Sequence, residues 1–313
     1  MRIAFFGTPH FAVVSLRRIY VHDRHPIVGV VTAPDKPAGR GQKLSIPPVK
    51  ACALELGLSI LQPLKLSDLD FLAKLRSWGA ECFVVVAYRI LPEPVFTMPS
   101  RGTINLHASL LPSYRGAAPI RWALFDGQKQ TGVTTFLIQR EVDTGDVLRS
   151  QAIAVGPEET HGELEKRLAE IGADVLVETL DLWERRAIEP KMQNVTIVTK
   201  APKITTEDRP VDWSWPADMI FNRIRGLSPD PGAVAHFRQR QIKILQSQRV
   251  ELPAASDSAV SGMTLQADPH HGVIVATGDG ALRLTKVQPA GKRPITGAEF
   301  VRGYRVQPDE RWM

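Results

Sequence analysis

Short apolar runs alternate with segments of helical spacing through the first half of the chain. Four continuous apolar runs predict buried strands, at residues 2–6, 26–32, 82–87 and 102–108. The intervening segments carry apolar residues at helical spacing, as in residues 11–20. Because alternating strands and helices form parallel pairs through crossover connections, this pattern predicts an α/β fold with a mostly parallel sheet covered on both faces.

Capping residues mark the ends of two predicted helices. One is expected to run from Ser67, which caps its start, to Gly79, which ends it. Thr160 and Glu163 have the spacing of a capping box. One apolar face then continues along a long helix that is predicted to end near Arg185.

The pattern changes in the second half of the chain. Residues 131–138 and 146–155 are typical of a late pair of strands, and the periodicity then weakens into a turn-rich stretch. After Pro231, short strands separated by Gly and Pro turns predict a small β-barrel or sandwich. The chain is therefore divided into a first domain at 1–190, a linker at 191–209 and a second domain at 210–313.

Composition restricts the class of protein. The 313 residues contain no run of about 18 apolar positions, so no membrane span is expected. The first residues lack the features of a secretory signal, and the two cysteines, Cys52 and Cys82, are too far apart for a disulfide framework or a cysteine zinc cage. These features favour the cytoplasm. The net charge of +6 fits either a basic enzyme with a solvated surface or a polyanionic partner.

Nucleotide-binding motifs are missing from the places where an α/β fold would carry them. The first turn, Gly7-Thr8-Pro9, lacks the second and third glycines of a dinucleotide fingerprint, and no phosphate-binding P-loop occurs. Ligands of α/β sheets bind at the carboxyl ends of the strands. Three predicted strands end there, at residues 6–7, 86–88 and 105–107.

Asn105 and His107 lie two positions apart on one predicted strand, so both side chains point to the same face. An asparagine amide can donate to an oxyanion, and a histidine can move a proton. A hydrogen-bonded structural pair at a strand end explains the same spacing. Ser109, two residues further on, is not in a nucleophile elbow, which argues against a serine hydrolase.

The segment Asp143-Thr144-Gly145-Asp146 contains the Asp-Thr-Gly of aspartic proteases. Those enzymes need a second carboxylate from a matching lobe, and no second Asp-Thr-Gly occurs in this chain. A tight turn explains the composition equally well. The protease interpretation is therefore rejected, while a catalytic role for Asp143 stays open at this point.

Five motifs together resemble one family, the methionyl-tRNA formyltransferases among the 10-formyltetrahydrofolate-dependent formyltransferases. In chain order they are FFGTPHFA, TAPDKPAGRGQKLSIPPVK, NLHASLLPSYRGAAPI, VDTGDV and GDGALRLTKVQPAGKR. The resemblance covers essentially the whole chain. It implies a Rossmann-like, folate-binding formyltransferase domain followed by a C-terminal OB-like β-barrel.

The resemblance also implies a reaction, the transfer of the formyl group of 10-formyltetrahydrofolate to the α-amine of methionyl initiator tRNA, for translation initiation. Asn105 and protonated His107 would stabilise the oxyanion, and Asp143 would pair with His107 and relay protons through a water molecule. This chemistry requires no metal. The residues expected to line the folate and substrate site are Val86, Ala87, Tyr88, Ser109, Leu110, Leu111 and Pro112.

By the same resemblance, a basic Gly-Pro loop would approach the acceptor end of the tRNA, with Arg40 as the main contact. A basic face of the second domain would hold the tRNA backbone. The expected tRNA-binding residues are Lys36, Arg40, Lys43, Arg238, Arg240, Lys243, Lys292 and Arg293, and Lys286 belongs to the same expected basic face. The partners expected are this tRNA and folate, without a membrane, and the chain is expected to be a monomer.

The sequence departs from the family pattern at one place and leaves two other interpretations open. The segment VAYRILP has Arg89 in place of a glycine and is one residue short, next to the expected folate pocket. Arg89 would then point to solvent or to the glutamate tail of the folate, or folate affinity would differ.

One alternative function is that of a formyltransferase for another amine, such as a purine-pathway ribonucleotide or a sugar nucleotide. The other is a non-catalytic tRNA-binding protein.

Overall fold

The computed structural model describes residues 1–38, 43–251 and 260–313, which form two compact units. The first contains most of the chain up to Lys200, and the second begins its main part at Ala201. The second unit also takes two earlier segments, at 120–130 and 154–164. Residues 191–200, which the weak periodicity assigns to a linker, therefore belong to the first unit.

A seven-stranded sheet forms the centre of the first unit, in the strand order β5-β2-β1-β6-β7-β8-β9. The strands from β5 to β7 pair in parallel, and β8 pairs antiparallel to β7. This arrangement confirms the predicted α/β fold. The seven strands are β1 (Ile3–Gly7), β2 (Ile27–Val31), β5 (Ile60–Leu61), β6 (Cys82–Val86), β7 (Thr103–His107), β8 (Gln130–Leu137) and β9 (Val147–Ala154). Two further strands, β3 (Lys36–Ala38) and β4 (Lys43–Ser45), pair with each other in a separate antiparallel sheet.

Helices cover this sheet, and one of them differs from its prediction at the N-cap. The capping side chain is Asp68, which accepts a hydrogen bond from the Phe71 amide, so the prediction of Ser67 was wrong by one residue. Both residues are good caps, and only the backbone path selects between them. The helices up to this point of the chain are α1 (His10–His22), α2 (Pro48–Glu55), α3 (Leu69–Ser77), α4 (Glu93–Phe96), α5 (Pro119–Phe125) and α6 (His161–Glu184), with a short 3₁₀ helix at Val195–Ile197. All of α5 but its first residue, and the first residues of α6, belong to the second unit.

The central strands are buried on both faces, which is why they appear as continuous apolar runs in the sequence. Every residue of β1 and of β6 is buried, and Phe6 packs on Phe83 with 5.1 Å between ring centroids. Because β1, β6 and β7 are parallel neighbours, their carboxyl ends meet at one edge of the sheet. This edge carries Gly7, Val86 and His107.

The second unit is built on an antiparallel sheet with the path β10-β11-β14-β13-β12, and β15 adds to β14. Trp312 bridges to Phe237 in β10, and Arg311 bridges to Met263 beside β12, so the C-terminal residues connect the two edges of the sheet. Its elements are α7 (Ala217–Leu227), β10 (Ala233–Phe237), β11 (Arg240–Val250), β12 (Thr264–Asp268), β13 (Gly272–Ala276), β14 (Ala281–Pro289), β15 (Ile295–Thr296) and α8 (Gly297–Tyr304).

Three aromatic rings form the centre of the core in this second unit. Phe237, Phe300 and Trp312 are almost fully buried, and their ring centroids lie 4.8 to 5.7 Å apart. The antiparallel sheet above this core confirms the β architecture that the C-terminal pattern predicts.

Within the three described ranges, no helix has the length and apolar character that crossing a membrane requires.

Candidate active site

Asn105 and His107 lie near the carboxyl end of β7, between β6 and β8 in the first unit. In the register with β8, Asn105 is opposite Phe136 and His107 is opposite Thr134. An extended strand repeats every two residues, so the two side chains share one side of the sheet, as the spacing predicts.

The His107 imidazole has a polar partner near each of its two nitrogens. Its Nε2 lies 2.9 Å from the carbonyl oxygen of Tyr114. A carbonyl only accepts hydrogen bonds, so Nε2 carries a hydrogen and donates it. On the other side of the ring, Nδ1 lies 3.8 Å from Oδ2 of Asp143, and the His107 and Asp143 side chains are only 7% and 12% exposed. The carboxylate therefore faces the nitrogen whose protonation changes the charge of the ring.

Asp143 reaches this position from a tight turn. Its Oδ2 accepts a hydrogen bond of 2.8 Å from the Gly116 amide, and its backbone has the left-handed φ of 56°. Gly145, two residues later, leaves no room for a side chain, because a Cβ there would lie 1.7 Å from the carbonyl oxygen of Leu137. The Asp-Thr-Gly segment is thus a turn that also presents a carboxylate to His107.

The Asn105 side chain is half-buried, and no described residue forms a hydrogen bond with its amide group. Both of its N–H donors are therefore available to a ligand. Stabilising a developing oxyanion requires a free hydrogen-bond donor, and the Asn105 amide meets this requirement. It lies two residues from His107, which faces the Asp143 carboxylate.

Ser109 and the following residues form a fixed turn beside the end of β7. The Ser109 hydroxyl donates to the carbonyl oxygen of Ser113, and the Thr134 hydroxyl donates to the carbonyl oxygen of Ser109. Thr134 also accepts from the Leu111 amide, ahead of a cis bond to Pro112. Ser109 and Pro112 are buried, and Leu110 and Leu111 are half-buried. The Ser109 hydroxyl is used to shape the turn, which agrees with the argument against a serine nucleophile.

The segment after β6 continues the same edge of the sheet. Val86 is buried, Ala87 is exposed with a φ of 48°, and the Tyr88 ring packs edge-on against Phe6. Burial raises the pKa of the Tyr88 phenol above its ordinary value, and its hydrogen bond from Arg89 acts in the opposite direction.

Arg89, the departure from the family pattern, is bound within the unit. Its guanidinium donates to the carbonyl oxygens of Pro63 and Leu64 and to the Tyr88 hydroxyl. The guanidinium carbon also lies 5.2 Å from the centre of the Tyr88 ring. Arg89 therefore joins the segment after β6 to the segment after β5, at the margin of the expected folate pocket.

The described residues include two of the three cations that are predicted to contact tRNA from the basic Gly-Pro loop. Lys36 is exposed on β3, and Lys43 lies on β4, where its backbone pairs with Ala38. Arg40 lies outside the described residues. The base of the loop is anchored by Asp35, whose carboxylate accepts from Gln62 and pairs with Lys50. These two contacts, with that from Gln62 the larger, hold the pKa of Asp35 below its ordinary value.

Four of the predicted basic residues meet at one end of the sheet in the second unit. Lys243 is paired with Gln288, and the Gln288 side chain donates to the carbonyl oxygen of Lys292. The Ala290 amide donates to the carbonyl oxygen of Gln241, which brings the exposed Lys292 and Arg293 close to the start of β11 at Arg240.

Arg238 lies in the turn before β11, but its guanidinium is already engaged. It pairs with Glu310 and donates to the carbonyl oxygens of Tyr304 and Arg305. It also lies over the Phe237 ring. These contacts fasten the C-terminal segment to the sheet, and a contact of Arg238 with tRNA stays a prediction.

Three residues outside the predicted catalytic set complete the surroundings of His107. Tyr114 supplies the carbonyl acceptor from a left-handed backbone, and its own amide donates to the Thr199 hydroxyl. Gln193 donates to the carbonyl oxygens of both Asp143 and Gly145. Thr199 and Gln193 occur in the segment assigned to a linker, where no periodic signal marks them.

Two family models match the chain. The model described as formyl transferase covers residues 1–180, and the model described as formyl transferase, C-terminal domain, covers residues 203–305. Among curated proteins, the chain is 42% identical to the methionyl-tRNA formyltransferase of Pelotomaculum thermopropionicum. That alignment extends over 304 residues, 97% of this chain and 96% of the relative.

Solved structures share the fold at low sequence identity. HypX from Aquifex aeolicus in complex with tetrahydrofolic acid superposes with a TM-score of 0.65 at 18% identity, over 99% of this chain and 48% of that longer protein. Methionyl-tRNA formyltransferase from Clostridium thermocellum superposes with a TM-score of 0.58 at 15% identity, over 80% of this chain and 94% of that protein. These similarities support the fold and add nothing about individual side chains.

Proposed function

This chain belongs to the formyl transferase family, and we propose that it transfers the formyl group of 10-formyltetrahydrofolate to the α-amine of methionyl initiator tRNA. The relative from Pelotomaculum thermopropionicum aligns over nearly its full length, including the C-terminal part that a minimal formyltransferase domain would lack. Translation initiation then implies a cytoplasmic location, which is part of this proposal.

The observation that supports this proposal best is the arrangement around His107. One imidazole nitrogen donates to the Tyr114 carbonyl and the other faces the Asp143 carboxylate, while the Asn105 amide is free of partners among the described residues. The site thus combines an oxyanion donor with a histidine–carboxylate pair at the carboxyl edge of the sheet. Acyl transfer to an amine needs both of these elements.

In the proposed mechanism, the free α-amine attacks the formyl carbon, and the carbonyl oxygen becomes an oxyanion. A free α-amine has a pKa of about 7.7 to 8, so its neutral, nucleophilic form is accessible near neutral pH. Asn105 donates a hydrogen bond to the oxyanion, and protonated His107 stabilises the same charge. The amine loses a proton as the new C–N bond forms, and N10 of the folate gains one as its bond to the formyl carbon breaks. Asp143 pairs with His107 and relays the proton through water.

The remaining predicted residues are assigned by their position around this centre. We assign the folate and substrate wall to two segments, Val86–Tyr88 and Ser109–Pro112, which lie at the ends of β6 and β7. Arg89 closes one margin of that wall through its bonds to Pro63 and Leu64.

The proposed tRNA contacts are the loop cations Lys36, Arg40 and Lys43 and the cluster at one end of the second unit's sheet. That cluster consists of Arg240, Lys243, Lys292 and Arg293. A catalytic domain at 1–190 and a tRNA-binding domain at 210–313 remain the proposed functional division, and the monomeric state remains a prediction.

The test is a formylation assay with purified protein, 10-formyltetrahydrofolate and methionine-charged initiator tRNA, with N-formylmethionine measured after hydrolysis of the ester. We expect formylmethionine to form only when all three components are present. Charged elongator methionine tRNA serves as the matched control substrate. A protein that binds the tRNA but gives no product contradicts the proposal and favours a non-catalytic tRNA-binding role. Product from a sugar-nucleotide or ribonucleotide amine, and not from tRNA, favours the other formyltransferase alternative.

A further inference from the structure

Gln193 makes four hydrogen bonds that connect two parts of the active site. Its Nε2 donates to the carbonyl oxygens of Asp143 and Gly145, at 2.9 and 2.8 Å. Its Oε1 accepts from Nε and Nη2 of Arg115, at 3.1 and 2.7 Å. Both donors and both lone pairs of the amide are therefore used, so the side chain has one fixed orientation.

The partners of Gln193 lie next to the residues that hold the catalytic pair. Arg115 is between Tyr114, whose carbonyl accepts from His107, and Gly116, whose amide donates to the Asp143 carboxylate. The other two bonds of Gln193 reach the backbone of the Asp143 turn itself. The amide of Gln193 thus fixes the separation of the Asp143 turn from residues 114–116.

The Asp143 turn requires such support. Asp143 has a φ of 56°, a left-handed conformation that costs a non-glycine residue free energy and persists only when the surroundings impose it. The 3.8 Å between His107 Nδ1 and the Asp143 carboxylate depends on this turn. The segment that carries Gln193 is itself anchored, because Lys191 and Val147 exchange backbone hydrogen bonds of 2.8 Å.

We propose that Gln193 is a positioning residue for formyl transfer, which places the Asp143 carboxylate against His107 without touching either substrate. This inference rests on the proposed function and adds a residue that the predicted catalytic set does not contain. It also gives residues 191–200 a role in the active site.

The first variant is Gln193→Met, which has a similar size and no hydrogen-bonding amide. We expect kcat to fall by about tenfold to 100-fold, because displacements of about 1 Å in a catalytic group have effects of that order. The KM values for charged tRNA and for 10-formyltetrahydrofolate should stay within about twofold. Gln193→Glu keeps the acceptor for Arg115 but loses the donors to the Asp143 turn, so it should be impaired to a similar extent.

Asn194→Ala is the matched control. Asn194 is the next amide side chain in the same segment, and its bonds are local, to the backbone and hydroxyl of Thr196. It should keep wild-type kcat, and thermal unfolding of each variant shows that the protein is folded. A fall in kcat for Asn194→Ala equal to that for Gln193→Met would overturn the proposal, because it would report disturbance of the whole segment.

A double-mutant cycle separates positioning from simple loss of stability. In the Asp143→Asn background, adding Gln193→Met should change single-turnover rates by less than about twofold, since Gln193 acts through Asp143. Full additivity overturns the inference, and so does wild-type kcat in Gln193→Glu. An inactive wild-type protein instead contradicts the proposed function. An active wild-type protein with an unaffected Gln193→Met variant contradicts only this inference.

Discussion

Replacement of Asp143 by asparagine tests the electrostatic part of the mechanism. The change is nearly isosteric, and the amide oxygen of the new side chain still accepts from the Gly116 amide, so the turn should persist. What disappears is the negative charge that lies 3.8 Å from His107 Nδ1.

The size of the effect follows from that distance. Two unit charges 3.8 Å apart interact by about 4 kcal/mol at an effective dielectric constant of about 20, which suits a pair as buried as this one. Under the proposed mechanism the charge on His107 counts in the transition state and not in the ground state, so the loss of this attraction raises the barrier by up to about the same amount. At about 1.4 kcal/mol for each factor of ten, kcat should fall by about 10³-fold.

The assay is single-turnover formylation of methionine-charged initiator tRNA, with tetrahydrofolate affinity measured in parallel. Folate and tRNA affinity should change little, because Asp143 acts on the chemical step. Asp146→Asn is the matched control, since Asp146 lies in the same turn and its backbone carbonyl, which the substitution leaves in place, accepts from the Leu137 amide. Retention of more than a tenth of wild-type kcat by Asp143→Asn refutes the electrostatic argument. An equal loss in Asp146→Asn does the same.

Three further predictions concern other parts of the molecule. Asn105→Ala removes the free amide donor and should lower kcat by about 10²- to 10³-fold in the formylation assay, with little change in folate affinity. Neutralising Lys292 and Arg293 together should flatten the dependence of log tRNA association constant on log salt by up to about two phosphate units, measured by titration at several salt concentrations. Burial, with a smaller contribution from Arg121, lowers the pKa of His161 to about 3. Below pH 6.5 the unfolded chain therefore binds a proton that the folded protein does not bind, so stability falls as the pH is lowered. Relative to His161→Gln, the wild type should lose roughly 2 to 3 kcal/mol of unfolding free energy between about pH 7 and pH 4.5.

Each of these three has an outcome that contradicts it. Near-normal formylation by Asn105→Ala would make the asparagine a structural residue of the strand. An unchanged salt slope combined with a lower melting temperature would mean that Lys292 and Arg293 serve packing and not tRNA binding. Parallel pH-stability curves for the wild type and His161→Gln would show that the buried imidazole does not resist protonation.

Local periodicity predicted most of the fold because the central strands are buried on both faces. The apolar runs that end at Gly7, Val86 and His107 are visible without any tertiary information. Helix α8 was missed, although Thr296 and Glu299 form a complete capping box at its start. The two-residue strand β5 carries too little pattern to be recognised, since its pairing with β2 alone defines it.

The catalytic site was predictable only in part. The shared side of Asn105 and His107 follows from the two-residue repeat of one strand, which is a local property. The role of Asp143 came only from the resemblance, because its own segment is typical of any tight turn. The sequence also carries no sign that Arg238 is bound to Glu310 and two carbonyl oxygens, and its contact with tRNA stays a prediction.

The sequence by itself determined which segments form the central strands, which edge of the sheet carries polar residues, and that Asn105 and His107 share one side of the sheet. These properties depend on neighbours within a few residues, where backbone geometry is nearly constant. Only the tertiary structure decided that Asp143 faces His107, that Arg89 binds Pro63 and Leu64, and that Gln193 fixes the Asp143 turn. Each of these contacts joins residues far apart in the chain, and hydrogen bonds of this kind leave no periodic trace in the sequence.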